Sequence, residues 1–367
     1  MPRKKSSLAA RLPAALLRRS DRALWRPVKR QLATVVCERS GTICAGYPTD
    51  LSDPLVKQRM EECNSWTQEE YIKTVRSDLW IDPGTGFVLL PGFRFLEASL
   101  PYAYQAAKPS ALGFLAARSG TRPALEFDRV ISFRDVNEHN YFHFFNDVLT
   151  KIPMLEQAGM LDAPVLIGTR LYRQPFFQAV LPALSRSGLK VVDQGDQFVR
   201  TKEVVYCKSM PYSRTYFNRV LDLLEVPFAD EGTRANKLFL MRSRSNTAQR
   251  LIGNLPEVTR MLEAHGFSVC DTGQLGLHEQ MALLGNTRYL ITVHGAGATN
   301  MIFRRGAAMD ILELFPAEII PPHYYALANG MGHGYNGLVC GTSGANGQFH
   351  VPLDQLSTAL ARLLAKA

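Results

Sequence analysis

The chain reads as an α/β protein made of two successive parallel-sheet units. Three observations lead there. From about Arg129 short apolar, β-branched runs alternate with longer amphipathic stretches. The alternation stops at the Pro-, Glu- and Gly-containing stretch 227–234 and then starts again, which marks a hinge. With 367 residues, 46% of them hydrophobic, the chain is long enough for two cores. Residues 36–120 are less regular: turn signals at Asp82-Pro83-Gly84 and Pro91-Gly92 bracket the apolar stretch 86–90, so a β-containing opening region is expected. The first set then runs strand 130–133, helix 141–152, strand 164–167, helix 175–184, strands 189–192 and 203–207, and helix 215–224. The second runs strand 238–241, helix 257–265, strand 268–270, helix 277–284, strand 289–293, helix 298–303 and strand 309–315. A closing helix over 354–365, with Leu356, Leu360, Leu363 and Leu364 on one face, is expected to pack across the first unit.

The net charge of +9 would suggest a nucleic-acid binder if it covered a folded face. It does not. Residues 1–30 hold ten Lys or Arg against Asp21 alone, and the other 337 residues carry 32 side chains of each sign. The excess is a tail (1–35), so no nucleic-acid partner is expected. Between Pro13 and Pro27 that tail has helical character, with Leu17, Leu24 and Trp25 on one side and arginines elsewhere. It suits either a peripheral anchor on an anionic membrane or a solvated basic segment without a target. Arg11 and Pro13 interrupt the only apolar run, which disfavours a secretory signal, and no run approaches a membrane span. Six cysteines without a C-x-x-C pair point to reduced thiols and a cytoplasmic location. The sequence has no Asp-x-Asp and no zinc spacing, so no metal or other cofactor is expected.

Three segments carry chemistry. In the stretch 140–153, helical spacing puts His143, Asn146, Asp147 and Thr150 on one stripe of an otherwise apolar helix. His143 and Asp147 can hydrogen-bond one turn apart, as a structural pair or as a proton-accepting one. At 289–303 an apolar strand runs through His294, Gly295, Ala296 and Gly297 into a helix start at Ala298, Thr299 and Asn300. That is either an ordinary strand-to-helix turn or a phosphate-sized anion site made of free N–H groups. A third glycine is missing, Asn300 standing in its place, which disfavours a nicotinamide dinucleotide. Strand 238–241 ends in Arg242-Ser-Arg244, with Arg250 and Asn254 following; arginine forks past a strand end suit a diphosphate, although Arg244 reads as solvated. Glu313 interrupts an apolar run near the end of its strand and would accept either ribose hydroxyls or a salt bridge.

Together, Asn140-Tyr-Phe-His143 with Asp147, Leu240-Met-Arg242 with Arg250 and Asn254, Glu279-Gln280, the run 293–301 and Leu312-Glu-Leu-Phe-Pro316 resemble glycosyltransferase family 61. That family includes bacterial capsular-polysaccharide proteins, plant xylosyl- and arabinosyltransferases and animal enzymes that add GlcNAc to proteins. The resemblance spans roughly 129–337. It implies a GT-B-like fold, two Rossmann-like domains facing a cleft, and metal-independent inverting transfer from a nucleotide sugar, which is a substrate and not a cofactor. On that basis residues 36–120 open the first domain, 121–228 form an acceptor domain, 229–345 a donor domain, and 346–367 a C-terminal helix. Asp147 is expected as the base with His143 beside it, and Arg242, Arg250, Asn254, His294 through Asn300 and Glu313 as donor-binding. The expected partners are a UDP-linked sugar and a glycan or surface-polysaccharide acceptor, met in the cytoplasm or at the inner membrane face. A nucleotide-sugar epimerase or hydrolase, or a non-catalytic glycan-binding partner, are the alternatives.

Overall fold

A computed structural model describes residues 22–28, 33–44, 51–229, 236–242, 250–344 and 347–365. The chain builds two main sheets. The first has nine strands: β1 Arg26–Val28, β2 Thr34–Cys44, β3 Ser65–Ile81, β4 Val88–Leu90, β5 Arg94–Leu96, β6 Ala124–Ser132, β7 Val165–Ile167, β8 Val191–Asp193 and β9 Phe198–Lys208. Their order is β1-β5-β4-β3-β9-β6-β7-β8, with β2 beside β3. Strands β9, β6, β7 and β8 are mutually parallel, as alternation with helices requires. Strand β3 pairs antiparallel with β9, Tyr71 opposite Lys208, and carries β4 and β2 antiparallel in turn.

The opening β region is therefore half of the first sheet and not a separate module. Spacing alone hides this, because β3 and β9 lie more than a hundred residues apart. The second sheet is wholly parallel: β10 Asn236–Met241, β12 Ser268–Asp271, β13 Thr287–Val293, β14 Asp310–Phe315 and β15 Gly334–Val339, in the order β12-β10-β13-β14-β15. A small parallel pair, β11 Leu251–Ile252 with β16 Gln348–Phe349, lies beside it. Strand β15 and the helix His323–Met331 before it extend the second unit past the last strand expected from the sequence.

The helix Leu353–Leu364 buries Leu356, Leu360 and Leu363 against Phe239, Leu312 and Leu338. It covers the second sheet, contrary to the expected packing across the first. The helix Pro54–Glu62 crosses over as well. Asp53 caps it through Oδ1 and accepts the Val339 N–H of β15 through Oδ2 at 2.8 Å. Its Val56 lies so close to Gly337 that an added Cβ there would sit 2.9 Å from Val56 Cγ1. One continuous apolar cluster joins Phe145, Leu149, Leu290 and Phe303 from both units.

Residue Trp25 departs from the tail reading. It is 1% exposed and packs edge-on to Phe93 and tilted on Phe114, while Arg26–Val28 pairs with β5. An indole held this way cannot enter a headgroup layer. The rest of the expected tail helix, Leu17 included, lies outside the described residues. Among the described residues no helix is long and apolar enough to cross a membrane.

Candidate active site

Residues Tyr141–His143, Phe144–Leu149 and Lys151–Gln157 form one helical run whose middle segment is a π turn. Asn140 caps it by accepting the Phe142 N–H. The run is buried because its phenylalanines pack inward: Phe144 and Phe145 are fully covered. A wide turn loosens the usual backbone ladder, and the Asn146 carbonyl is taken by the Thr150 hydroxyl at 2.6 Å. The polar stripe forms as spaced. His143 Nδ1 meets Asp147 Oδ2 at 2.6 Å, and Asn146 Nδ2 donates to Asp147 Oδ1 at 2.9 Å.

Both carboxylate oxygens of Asp147 are thus occupied, and its side chain is 10% exposed against 25% for His143. The imidazole, its Nδ1 held by the carboxylate, keeps Nε2 for a substrate. Burial alone would lower the His143 pKa, but the hydrogen bond and charge of Asp147, with Asp135 behind, outweigh it and raise the value. A carboxylate gripped on both oxygens is a poorer proton acceptor than an imidazole with one nitrogen uncommitted.

Sequence patterns gave no hint of the side chains around this pair. Tyr102 lies edge-on to the His143 ring at 6.3 Å, and the Tyr212 N–H donates to Asn146 Oδ1 at 3.0 Å. Both tyrosines have positive φ, at 57° and 58°, and Arg250 shares that property at 86°. Among the described residues, three of the five non-glycine residues in that costly region therefore fall on candidate site segments, a distribution typical of functional loops. Lys208, its pKa lowered by burial, lies over the Tyr102 ring at 5.7 Å. His323, on the helix the sequence reading lacked, links the halves. Its ring is 5.8 Å from Phe142 and its Nδ1 is 3.4 Å from the Tyr212 hydroxyl. Phe142 also meets Tyr324, which packs on His294 at 5.3 Å.

On the second unit, β13 and β14 lie side by side, so that His294 Nδ1 reaches Glu313 Oε1 at 2.5 Å. Glu313 is fully buried and also accepts from the Tyr335 hydroxyl at 2.5 Å. It is closed to a ribose: its carboxylate orients His294 instead. Arg242 donates to the His294 carbonyl at 2.8 Å, and its guanidinium presses on Gly295, where an added Cβ would lie 2.4 Å from Nη1. The glycine thus makes room for an arginine. Burial, then the charge of Arg250, lowers the Arg242 pKa, so the two cations share one recess with Gly253 and Val293. That recess measures about 40 Å³, enough for a phosphate oxygen and far below a nucleotide. Residue Arg244 lies outside the described residues.

Other expected donor residues have structural employment. Asn254 clamps Val351, donating to its carbonyl at 2.9 Å and accepting its N–H at 3.0 Å. Ala296–Phe303 is a 3-10 helix, in which the Ala298 N–H bonds to the Gly295 carbonyl and Thr299 is buried. Asn300, also buried, accepts from the Tyr141 hydroxyl at 2.5 Å and donates to Gln280, tying the two units together. Of the expected anion-binding N–H groups, that of Ala298 is thus already used within the turn. Among the described residues no three His, Cys, Asp or Glu side chains converge as a metal site, and five cysteines are free.

Two α/β units, with an oriented imidazole on one and clustered arginines at strand ends on the other, form the frame of a group-transfer enzyme. Residues 141–310, which hold both halves, match the family model Glycosyltransferase 61. Over those residues the chain is similar to glycosyltransferase family 61, a match that supports glycosyltransferase activity. No curated protein matches it.

Proposed function

We propose an inverting, metal-independent glycosyltransferase of GT-B architecture that moves a sugar from a UDP-sugar to a hydroxyl of a growing surface polysaccharide, in the cytoplasm or at the inner membrane face. The observation that supports this reading is the run of contacts from the His143 ring through Phe142 and Tyr324 to His294, whose carbonyl accepts from Arg242, linking the two candidate segments. In that arrangement His143 Nε2 takes the proton of the acceptor hydroxyl as its oxygen bonds to the anomeric carbon. The electrons of the broken sugar–phosphate bond leave on the diphosphate, where Arg242, Arg250 and the N–H groups near Ala296 offset the charge. A capsular substrate and a bacterial source fit the sequence resemblance.

The test is the product's anomeric configuration, followed by proton NMR with and without excess EDTA. Inversion that survives the chelator is expected. Retention, or activity lost and restored by Mn²⁺, overturns the mechanism.

A further inference from the structure

Strand β9 pairs on one side of β6 and β7 on the other, so the strand order turns at β6, and the crevice outside the carboxyl ends of β6 and β9 is where such a sheet takes a ligand. The helical run with His143 follows β6, and β9 ends in Lys208. Three half-buried aromatic side chains from separate segments meet around that run: Trp66 at the start of β3, Tyr102, and Tyr212 after β9. Their rings are in contact in series. Trp66 lies 6.0 Å from Tyr212, Tyr212 6.3 Å from Phe142, Phe142 5.3 Å from His143, and His143 6.3 Å from Tyr102. Tyr104, 80% exposed, extends the row past Tyr102 at 6.4 Å.

Core packing does not account for this row. Tyr212 is wedged into its left-handed backbone by Asn146, which takes its N–H, and by Gly330, where an added Cβ would fall 2.3 Å from the Tyr212 carbonyl oxygen. Tyr102 holds the same strained conformation. Enforced strain under two half-exposed rings beside a candidate base is the mark of a binding loop. The Tyr102 hydroxyl makes no hydrogen bond among the described residues, and burial, with the charge of Asp147, raises its pKa, so it stays a donor. Lys208, over the Tyr102 ring, spends one of its three N–H groups on Gln68 Oε1 at 2.8 Å. Accessible rings with a few donors beside them match a sugar, which offers C–H groups on a face of its ring and hydroxyls at the edge.

We propose that this row is an acceptor platform and that the acceptor is a glycan of at least two sugars. The reacting sugar lies at His143, hydrogen-bonded by Tyr102 and Lys208, and the next sugar stacks on Trp66. The Trp66 ring reaches the His143 ring only through Tyr212 and Phe142, so a sugar reacting at His143 leaves Trp66 to its neighbour. Trp66 and Tyr102 precede residues 141–310, so the platform is not part of the family match. The inference rests on the reading of His143 as the base.

The test is titration of the full chain with xylose, glucose, galactose, mannose and N-acetylglucosamine beside their homo-disaccharides and trisaccharides, followed by saturation-transfer NMR and tryptophan fluorescence. Of the three tryptophans Trp25 and Trp80 are buried, so Trp66 reports the platform. In at least one series the disaccharide should bind tenfold or more tightly than the monosaccharide and shift the emission. Trp66→Ala should erase that advantage, whereas Trp66→Phe should keep most of it while losing the emission shift. Tyr102→Phe should weaken both members about fivefold. A disaccharide advantage that survives Trp66→Ala, or no binding anywhere in the panel, overturns the platform. The transferase reading fails separately: Trp66-dependent binding without transfer from any UDP-sugar removes that reading and leaves a glycan-binding face, while inverting transfer whose KM is independent of acceptor length removes the platform alone.

Discussion

In the proposed mechanism Asp147 and His143 divide one task, according to how many hydrogen bonds each atom already makes. Oδ1 is held by Asn146 and Oδ2 by His143, so the carboxylate fixes the ring, and the proposal gives Nε2 the acceptor's proton. His143→Ala should therefore lower kcat by about 10² to 10⁴, the usual share of general-base help, with donor affinity unchanged. Asp147→Asn should lose less, and the opposite ranking would restore the carboxylate as the base. The pH profile gives an independent check. The His143 pKa is raised and the base must be neutral, so turnover should fall as pH drops through a value above 6.5. Asp147→Asn removes the bond and charge that raise it while burial stays, and the acidic limb should move down. Arg242→Ala should weaken UDP binding by about 1.5–3 kcal/mol in calorimetry. Affinity equal to that of the unaltered chain would take Arg242 out of the donor site.

Among the elements, the segment around Trp25 shows why a local pattern misleads. Ala23-Leu24-Trp25 flanked by arginines has the look of an interfacial helix, yet the indole fills a gap between Phe93 and Phe114 and the next three residues complete a sheet edge. Trp25→Ala should cost about 3–5 kcal/mol in denaturant unfolding, the range for emptying an aromatic site. A loss below about 1 kcal/mol would show that the indole is not core. The π turn in the helical run 141–157 is a second case: periodicity placed His143 and Asp147 on one face, but the hydroxyl bridge from Thr150 that accommodates the wider turn depends on Ser209, 59 residues away.

For the molecule as a whole, charge and folded mass separate. Residues 1–21 hold six basic side chains and one acid, and precede the first described strand. Deleting 1–21 should abolish salt-sensitive binding to anionic vesicles and leave the melting temperature unchanged, whereas a deletion through residue 28 should also destabilise, because it removes Trp25 and β1. Vesicle binding undiminished by the shorter deletion rules the tail out as an anchor. The two sheet units also share apolar core and the Tyr141–Asn300–Gln280 bonds, so each contributes to the stability of the other.

What could be read from the chain alone was whatever depends on neighbours within a few positions: the alternation of strands and helices, the His143–Asp147 pair one turn apart, the arginine after β10 and the glycine turn after β13. Local sterics and hydrogen-bond reach dictate those, and they came with the family motifs. Tertiary structure decided the rest. Only the pairing of β13 with β14 sets Glu313 beside His294, and only packing brings Tyr102 to His143 and His323 to Phe142 and shows that Asn254 and Asn300 hold the frame.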